Sequence, residues 1–190
     1  KMLVMKKIAL LLLLTVSVVS FAQEKKVTKN ITQKRHELKI NALNLIAFSW
    51  LDASYEYIIN KESSIGVGTL VSFGDRDSDL LNFYRTFSLT PYYRRYFSKK
   101  YAKGFFIEGF GMLNSYKDRY YNDETNVAYD QRKIVTNFAI GVSAGAKFIT
   151  ENGFIAEVYL GLGRNLTANN SYFSDDRIVG RSGISLGYRF

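Results

Sequence analysis

The chain has 190 residues, one histidine, no cysteine and a formal net charge of +9. That length suits one domain with a sizeable core, and the missing thiols exclude a disulfide framework. No nucleotide, zinc or haem motif is present and no nucleic-acid module accompanies the positive charge, so no nucleic acid and no cofactor are expected.

Lys6 and Lys7 precede the apolar run Ile8 to Ser20, and Ser20-Phe21-Ala22 then places small residues where signal peptidase reads. Residues 1–22 are expected to be a secretory signal peptide cleaved after Ala22, the run being too short for a comfortable membrane-spanning helix. Losing Lys1, Lys6 and Lys7 with it takes the net charge from +9 to about +6. Residues 23–36 follow as a polar periplasmic N-terminal tail bearing Lys25, Lys26, Lys29, Lys34 and Arg35. A solvated tail is the plain reading, and contact with an anionic membrane surface or cell-wall polymer is the alternative.

From residue 37 the apolar residues recur with a period of two rather than 3.6, which predicts strands. Eight are expected, at about Glu37 to Ala47, Leu51 to Asn60, Ile65 to Phe73, Tyr84 to Phe97, Gly104 to Tyr116, Thr136 to Thr150, Phe154 to Gly163 and Arg177 to Phe190. The sixth is the clearest. Phe138, Ile140, Val142, Ala144, Ala146 and Phe148 share one face, opposite Asn137, Ala139, Gly141, Ser143, Gly145 and Lys147. Short turns (KESS, SKKYAKG, ENG) follow strands two, four and six, whereas long polar loops follow strands three, five and seven. The first connection, near Phe48 to Leu51, is short and breaks that alternation.

Short turns at one end and long loops at the other fit an all-β, eight-stranded antiparallel up-and-down transmembrane β-barrel over residues 37–190. The less apolar face argues against a soluble sheet, because it is crowded with Gly and Ser where Lys, Glu and Thr would meet water. Aromatic residues fall near the strand ends, as two interfacial girdles require: Trp50, Phe73, Phe83 and Tyr116 on the loop side, and Phe97, Phe105, Phe148, Phe154 and Tyr188 on the turn side.

The last residues, GISLGYRF, place Ile184, Leu186, Tyr188 and Phe190 at every second position up to an aromatic terminus. This resembles the C-terminal signature of Gram-negative outer-membrane barrels. Residues 37–190 as a whole resemble the small eight-stranded outer-membrane barrel families, the class that includes the transmembrane domain of outer-membrane protein A. The resemblance implies an outer-membrane location with both termini periplasmic, contact with outer-membrane lipid and lipopolysaccharide, and recognition of the last strand by the outer-membrane assembly machinery. It implies no particular activity.

Parity places Lys39, Glu56, Arg94, Glu108, Lys147, Glu157, Arg181 and Arg189 on inward faces as a lumen charge network. A three-residue ENG loop with Gly153 left-handed would pair Thr150 with Phe154 and set Lys147 opposite Glu157. Pairing Phe97 with Phe105 sets Arg94 opposite Glu108. An eight-stranded barrel is just wide enough for side chains to fill it, which favours a paired plug over a gated pore. Pro91, the only proline, predicts a bulge or a locally unpaired carbonyl in strand four, since a closed barrel has no edge to excuse the missing donor.

No catalytic, cofactor or metal residues are assigned. Outer-membrane barrel enzymes generally use a histidine with Ser, Asn, Asp or Glu near the outer rim, whereas His36 lies before strand one on the other side and reads as a polar cap. Asp75, Asp77, Asp79, Asp118, Asp123, Glu124, Asp175 and Asp176 could hold Ca²⁺, but GDRDSDLLN lacks the 12-residue frame with a closing Glu and reads as a solvated loop. The segment Lys117 to Lys133 carries Tyr120, Tyr121 and Tyr129 among charges of both signs, with Tyr116 just before it. A projecting hairpin with a protein partner and an ordinary hydrated loop are both open. The expected function is therefore non-enzymatic, structural or interactive. A rim-active lipid- or peptide-hydrolysing enzyme and a very narrow pore are the alternatives.

Overall fold

The computed structural model describes residues 34–73, 85–122, 127–167 and 177–190, with side chains throughout except in 117–133. The expected signal peptide and the tail as far as residue 33 lie outside the described residues. So do Phe83, Asp75, Asp77, Asp79, Asp123, Glu124, Asp175 and Asp176.

The described residues form eight strands: β1 (His36–Asn41), β2 (Trp50–Ile58), β3 (Ser63–Ser72), β4 (Arg85–Tyr96), β5 (Gly104–Asn122), β6 (Val127–Ile149), β7 (Phe154–Asn165) and β8 (Ile178–Arg189). Each pairs antiparallel with the next and β8 returns to β1, giving a closed up-and-down barrel. The seam is complete to the end of the described chain, because the Phe190 amide donates to the His36 carbonyl at 2.8 Å and the His36 amide to the Phe190 carbonyl at 3.2 Å. Closure leaves no strand edge with unpaired amides to face lipid.

The period of two sorts the side chains. Leu38, Ile40, Val142, Leu160 and Leu162 stand on the outer wall at between 45% and 71% exposure, while Glu37, Lys39, Arg94, Glu108 and Lys147 lie inside at 0% to 1%. Apolar outside and charged inside is the reverse of a soluble protein, and it is the arrangement of a barrel whose solvent is hydrocarbon. Phe97, Phe105, Phe148, Phe154 and Tyr188 project outward near the turn end and Phe73 near the loop end.

Two expected girdle residues do not project. Trp50 is buried, stacked on Phe48 with ring centroids 4.9 Å apart, because β2 points Trp50 to the same side as Glu56. The Tyr116 hydroxyl accepts from Asn137 Nδ2 at 2.8 Å, on the inward parity of β5.

The first strand stops at Asn41, six residues short of the expected Ala47, and Ala42–Phe48 form a helix, α1. ALNLIAF does not alternate, being an apolar run interrupted only by Asn44, and its alanines and leucines favour helix. The Asn41 side chain caps the helix, accepting from the Asn44 amide at 3.2 Å, and Ser49 in the left-handed region (φ 57) ends it. Thus α1 serves as the first loop-side connection and packs on β8 and β2.

At the opposite end the β6–β7 turn has Gly153 at φ 94, with the Thr150 amide donating to the Phe154 carbonyl at 2.9 Å and the Gly153 amide to the Thr150 carbonyl at 3.0 Å. The left-handed glycine lets three residues reverse the chain. Between β4 and β5 the Phe97 amide donates to the Phe105 carbonyl at 2.9 Å. Pro91 causes no bulge. The β4–β5 ladder passes from Leu89↔Leu113 to Tyr92↔Phe110 in unchanged register, skipping Pro91, whose partner on the other side is Val67. The missing donor is met by local loss of pairing, and the register shift in this ladder lies at Arg85/Phe87 instead.

Glycines mark where strands and rings approach most closely. A Cβ on Gly141 would stand 2.6 Å from the Gly163 Cα and 2.6 Å from the Leu162 carbonyl oxygen, and would also meet the Phe110 ring. Gly109, on the outer wall, would meet nothing within 4 Å. Gly141→Ala is therefore expected to cost about 1–3 kcal/mol, and Gly109→Ala to stay within about 0.5 kcal/mol of the parent. Urea titration of the refolded protein in detergent checks the contrast.

Candidate functional site

The interior is built by alternation. Each strand contributes every second residue, and seven of the eight strands supply charged groups to the network: Glu37 and Lys39 from β1, Glu56 from β2, Arg94 from β4, Glu108 from β5, Lys147 from β6, Glu157 from β7, Arg181 and Arg189 from β8. All eight charged residues expected inside lie there, and Glu37 joins them.

Glu56 is the centre. Its carboxylate accepts from Lys39 Nζ at 2.5 Å, Lys147 Nζ at 2.7 Å, Arg94 Nη1 at 3.0 Å, Ser64 Oγ at 2.6 Å and Tyr96 Oη at 2.5 Å. Lys147 also donates to the Tyr96 hydroxyl. Three cations on one carboxylate would repel each other, so each is shared with a further acid. Lys39 reaches Glu157 at 3.0 Å, Lys147 reaches Glu37 at 2.7 Å, and Arg94 reaches Glu157 at 2.6 and 2.8 Å and Glu108 at 2.5 Å. Glu108 in turn accepts from Arg181 and, at 2.7 Å, from Ser143 Oγ. No buried side-chain nitrogen or oxygen among the described residues lacks a partner.

Matching of this kind is the condition for keeping ions in a dry interior, since one removed partner leaves an uncompensated charge. Aromatic faces complete the surroundings. The Arg94 guanidinium lies 4.6 Å from the Tyr92 ring centre and 4.2 Å from that of Phe106, and Arg181 lies 4.9 Å from that of Tyr159.

Cross-strand register sets Arg94 opposite Glu108 and Lys147 opposite Glu157. The first pair bonds directly. In the second the ions stand 3.9 Å apart, because Lys147 turns toward Glu37 and Glu56 while Arg94 and Lys39 take Glu157. Register alone predicts neighbours across one ladder, but an interior this narrow lets side chains meet across the lumen.

The turn end is sealed. Arg189 binds Glu37 at 2.5 and 2.8 Å and also donates to the carbonyls of Ala102 at 2.8 Å and Tyr101 at 3.3 Å. The β4–β5 turn is thereby drawn over the barrel mouth, where Ala102 packs with Ile58, Tyr96, Phe106 and Tyr159 in an apolar layer. His36 lies at this same end, its Nδ1 at 2.6 Å from the Tyr55 hydroxyl and its ring stacked on Phe190 at 5.9 Å.

At the loop end the β5–β6 ladder continues past Tyr116, with Asp118↔Lys133, Tyr120↔Tyr129 and Asn122↔Val127 in register around one irregularity between Asp118 and Tyr120. Much of the Lys117–Lys133 segment is therefore a two-stranded extension of the wall. In the final strand, Ile184, Leu186, Tyr188 and Phe190 face outward, with Ser185 and Arg189 directed inside.

No family model matches the chain, and no curated protein sequence matches it. Among solved structures it is similar to the outer membrane protein Ail of Yersinia pestis in a phospholipid bilayer nanodisc, at 12% identity over 83% of this chain and 99% of that one, with a TM-score of 0.35. At that score the likeness adds nothing to the architecture, which rests on the strand pairing itself. The described chain is a closed eight-stranded antiparallel barrel with the apolar wall and charged interior of the outer-membrane barrels.

Proposed function

We propose that this chain is a non-enzymatic outer-membrane β-barrel with a structural or interaction role, presenting its loop end outside the cell or serving as a subunit of an outer-membrane complex. The observation that supports it most is the plugged turn end and middle of the barrel, where mutually bonded ions and the drawn-in β4–β5 turn leave no open passage among the described residues. Specific activity then belongs to what projects from the wall. The β5–β6 extension, whose sequence mixes Tyr120, Tyr121 and Tyr129 with charges of both signs, offers a place for a protein partner.

The sole histidine supports the same reading, being engaged with Tyr55 and Phe190 at the end away from the long loops. Short turns at the end where the described chain enters and leaves the wall are consistent with periplasmic termini, and the outer wall with contact to lipid and lipopolysaccharide. The outward alternation Ile184, Leu186, Tyr188 and Phe190 is the segment proposed to be read by the assembly machinery.

Replacing Lys117 to Lys133 by an Asn-Gly turn tests the interaction role. The shortened barrel is expected to insert and to resist heat in detergent, since the ladder closes without the extension. In cells it is expected to lose the crosslinked neighbours that the parent and a variant shortened between Thr167 and Asp176 both keep. Retention of every neighbour would move the contact surface to the outer wall.

A further inference from the structure

The charge network fills the turn end and middle of the barrel, but not the loop end. There, beneath α1, lies a chamber of about 280 Å³ lined by apolar groups (Leu43, Phe48, Trp50, Leu70, Met112) and by a polar set containing Asp52, Arg85, Ser88, Thr90 and Arg181. Its volume equals that of roughly nine waters at ~30 Å³ each, close to the lower bound for small-molecule sites.

Most polar groups inside this protein are engaged on every side by one another, but several of those lining the chamber are engaged on one side only. Arg85 Nη2 donates to the Gly180 carbonyl at 3.2 Å, and no carboxylate among the described residues lies within ion-pair distance of it. Four of its five N–H donors are thus uncommitted there. Asp52 is held by one oxygen only, Oδ2 accepting from Asn41 at 2.8 Å and from Asn44 at 2.7 Å. The Ser88 and Thr90 hydroxyls, on residues only 3% exposed, make no bond to another described residue and open onto the chamber. By contrast Arg181 is neutralised by Glu108.

Outside the bonded network, whose five cations share four acids, Arg85 and Asp52 remain, one charge of each sign and neither within ion-pair distance of an opposite charge among the described residues. A planar guanidinium with free parallel donors is the side chain best suited to a two-oxygen anion.

We propose that the chamber under α1 is a binding site for a small molecule carrying a carboxylate or phosphate, with its anionic end on Arg85. Ser88 and Thr90 offer hydroxyls to the same ligand, Phe48 and Trp50 an aromatic wall, and the free oxygen of Asp52 an acceptor for a donor on the ligand's far end. Recognition of this kind is independent of the β5–β6 extension, so the two sites can be lost separately.

The test uses the full refolded chain in detergent micelles, ¹⁵N-labelled, titrated with sodium phosphate and separately with sodium acetate at ionic strength held constant with sodium chloride. Saturable shifts are expected for the Arg85 side chain and for the amides of Asp52, Gly68, Ser88 and Gly180. R85Q is expected to weaken the stronger of the two anions at least about tenfold, R85K less, and D52N to tighten it by removing a repelling carboxylate. Each variant is first checked for retention of the heat-resistant barrel on a gel. The preferred anion separates a phosphate ligand from a carboxylate ligand. Absence of saturation with both anions, shifts confined to the loops, or equal affinity in R85Q would each overturn the proposal.

Discussion

Arg94→Ala is expected to lower the unfolding free energy of the refolded barrel by about 3–5 kcal/mol. The guanidinium is 1% exposed and bonds three carboxylates, Glu56, Glu108 and Glu157, while lying on the rings of Tyr92 and Phe106. Its loss removes one positive charge shared by three acids and leaves a cavity between two aromatic faces, and both effects destabilise in the same direction. Glu157 keeps Lys39 and Glu108 keeps Arg181, so the acids are weakened rather than orphaned. Arg94→Ala combined with Glu108→Ala is therefore expected to cost less than the sum of the two singles, by about 0.5–3 kcal/mol. Urea titrations of the parent, both singles and the double measure it, and strictly additive losses would show that the two residues do not act together.

Glu108→Ala is expected to be as damaging for a different reason. Glu108 is the one carboxylate that pairs with Arg181 among the described residues, and without it that guanidinium remains against Tyr92, Phe110 and Tyr159 with no described carboxylate in ion-pair distance. An orphaned buried ion costs about 3–5 kcal/mol, whereas an apolar side chain of similar length in the same place does not. Arg181→Met in the Glu108→Ala background should consequently restore part of the stability, while Arg181→Met alone should destabilise by leaving Glu108 with Arg94 only. A double variant no more stable than Glu108→Ala would mean that Arg181 is compensated by water at the loop end.

The strands and their faces were readable because a membrane barrel repeats one local rule, and residues such as Phe138 to Phe148 obey it without interruption. The inward position of Lys39 implied that of Glu37, two residues earlier on the same strand, yet Glu37 escapes notice because it sits at the edge where tail meets strand. The aromatic character of Trp50 points to a girdle, although its parity with Glu56 directs it inward. The helix α1 depends on a cap from Asn41 and a left-handed Ser49, features of tertiary placement that an apolar run does not announce. Likewise Asp52 and Arg85 lie thirty-odd residues apart near strand ends, and only the closed wall brings them to one chamber. Pro91 advertised a defect but not its form, which the constant register on either side resolves.

The seam between β1 and β8 has a consequence for the order of folding. Arg189 and Glu37 are 152 positions apart and Lys147 and Glu37 are 110 apart, and those bonds help to neutralise the network. Contacts of such long sequence separation form late, after the intervening loops have been closed. In chain order the acids of β1 and β2 precede Arg94 and Lys147, whereas Arg189, which holds Glu37 by two bonds, arrives only with the last strand. A seam closed out of register would leave Glu37 and Arg189 unmatched inside at a cost of several kcal/mol, so the ions at the two ends of the barrel sequence help to fix the register in which it closes.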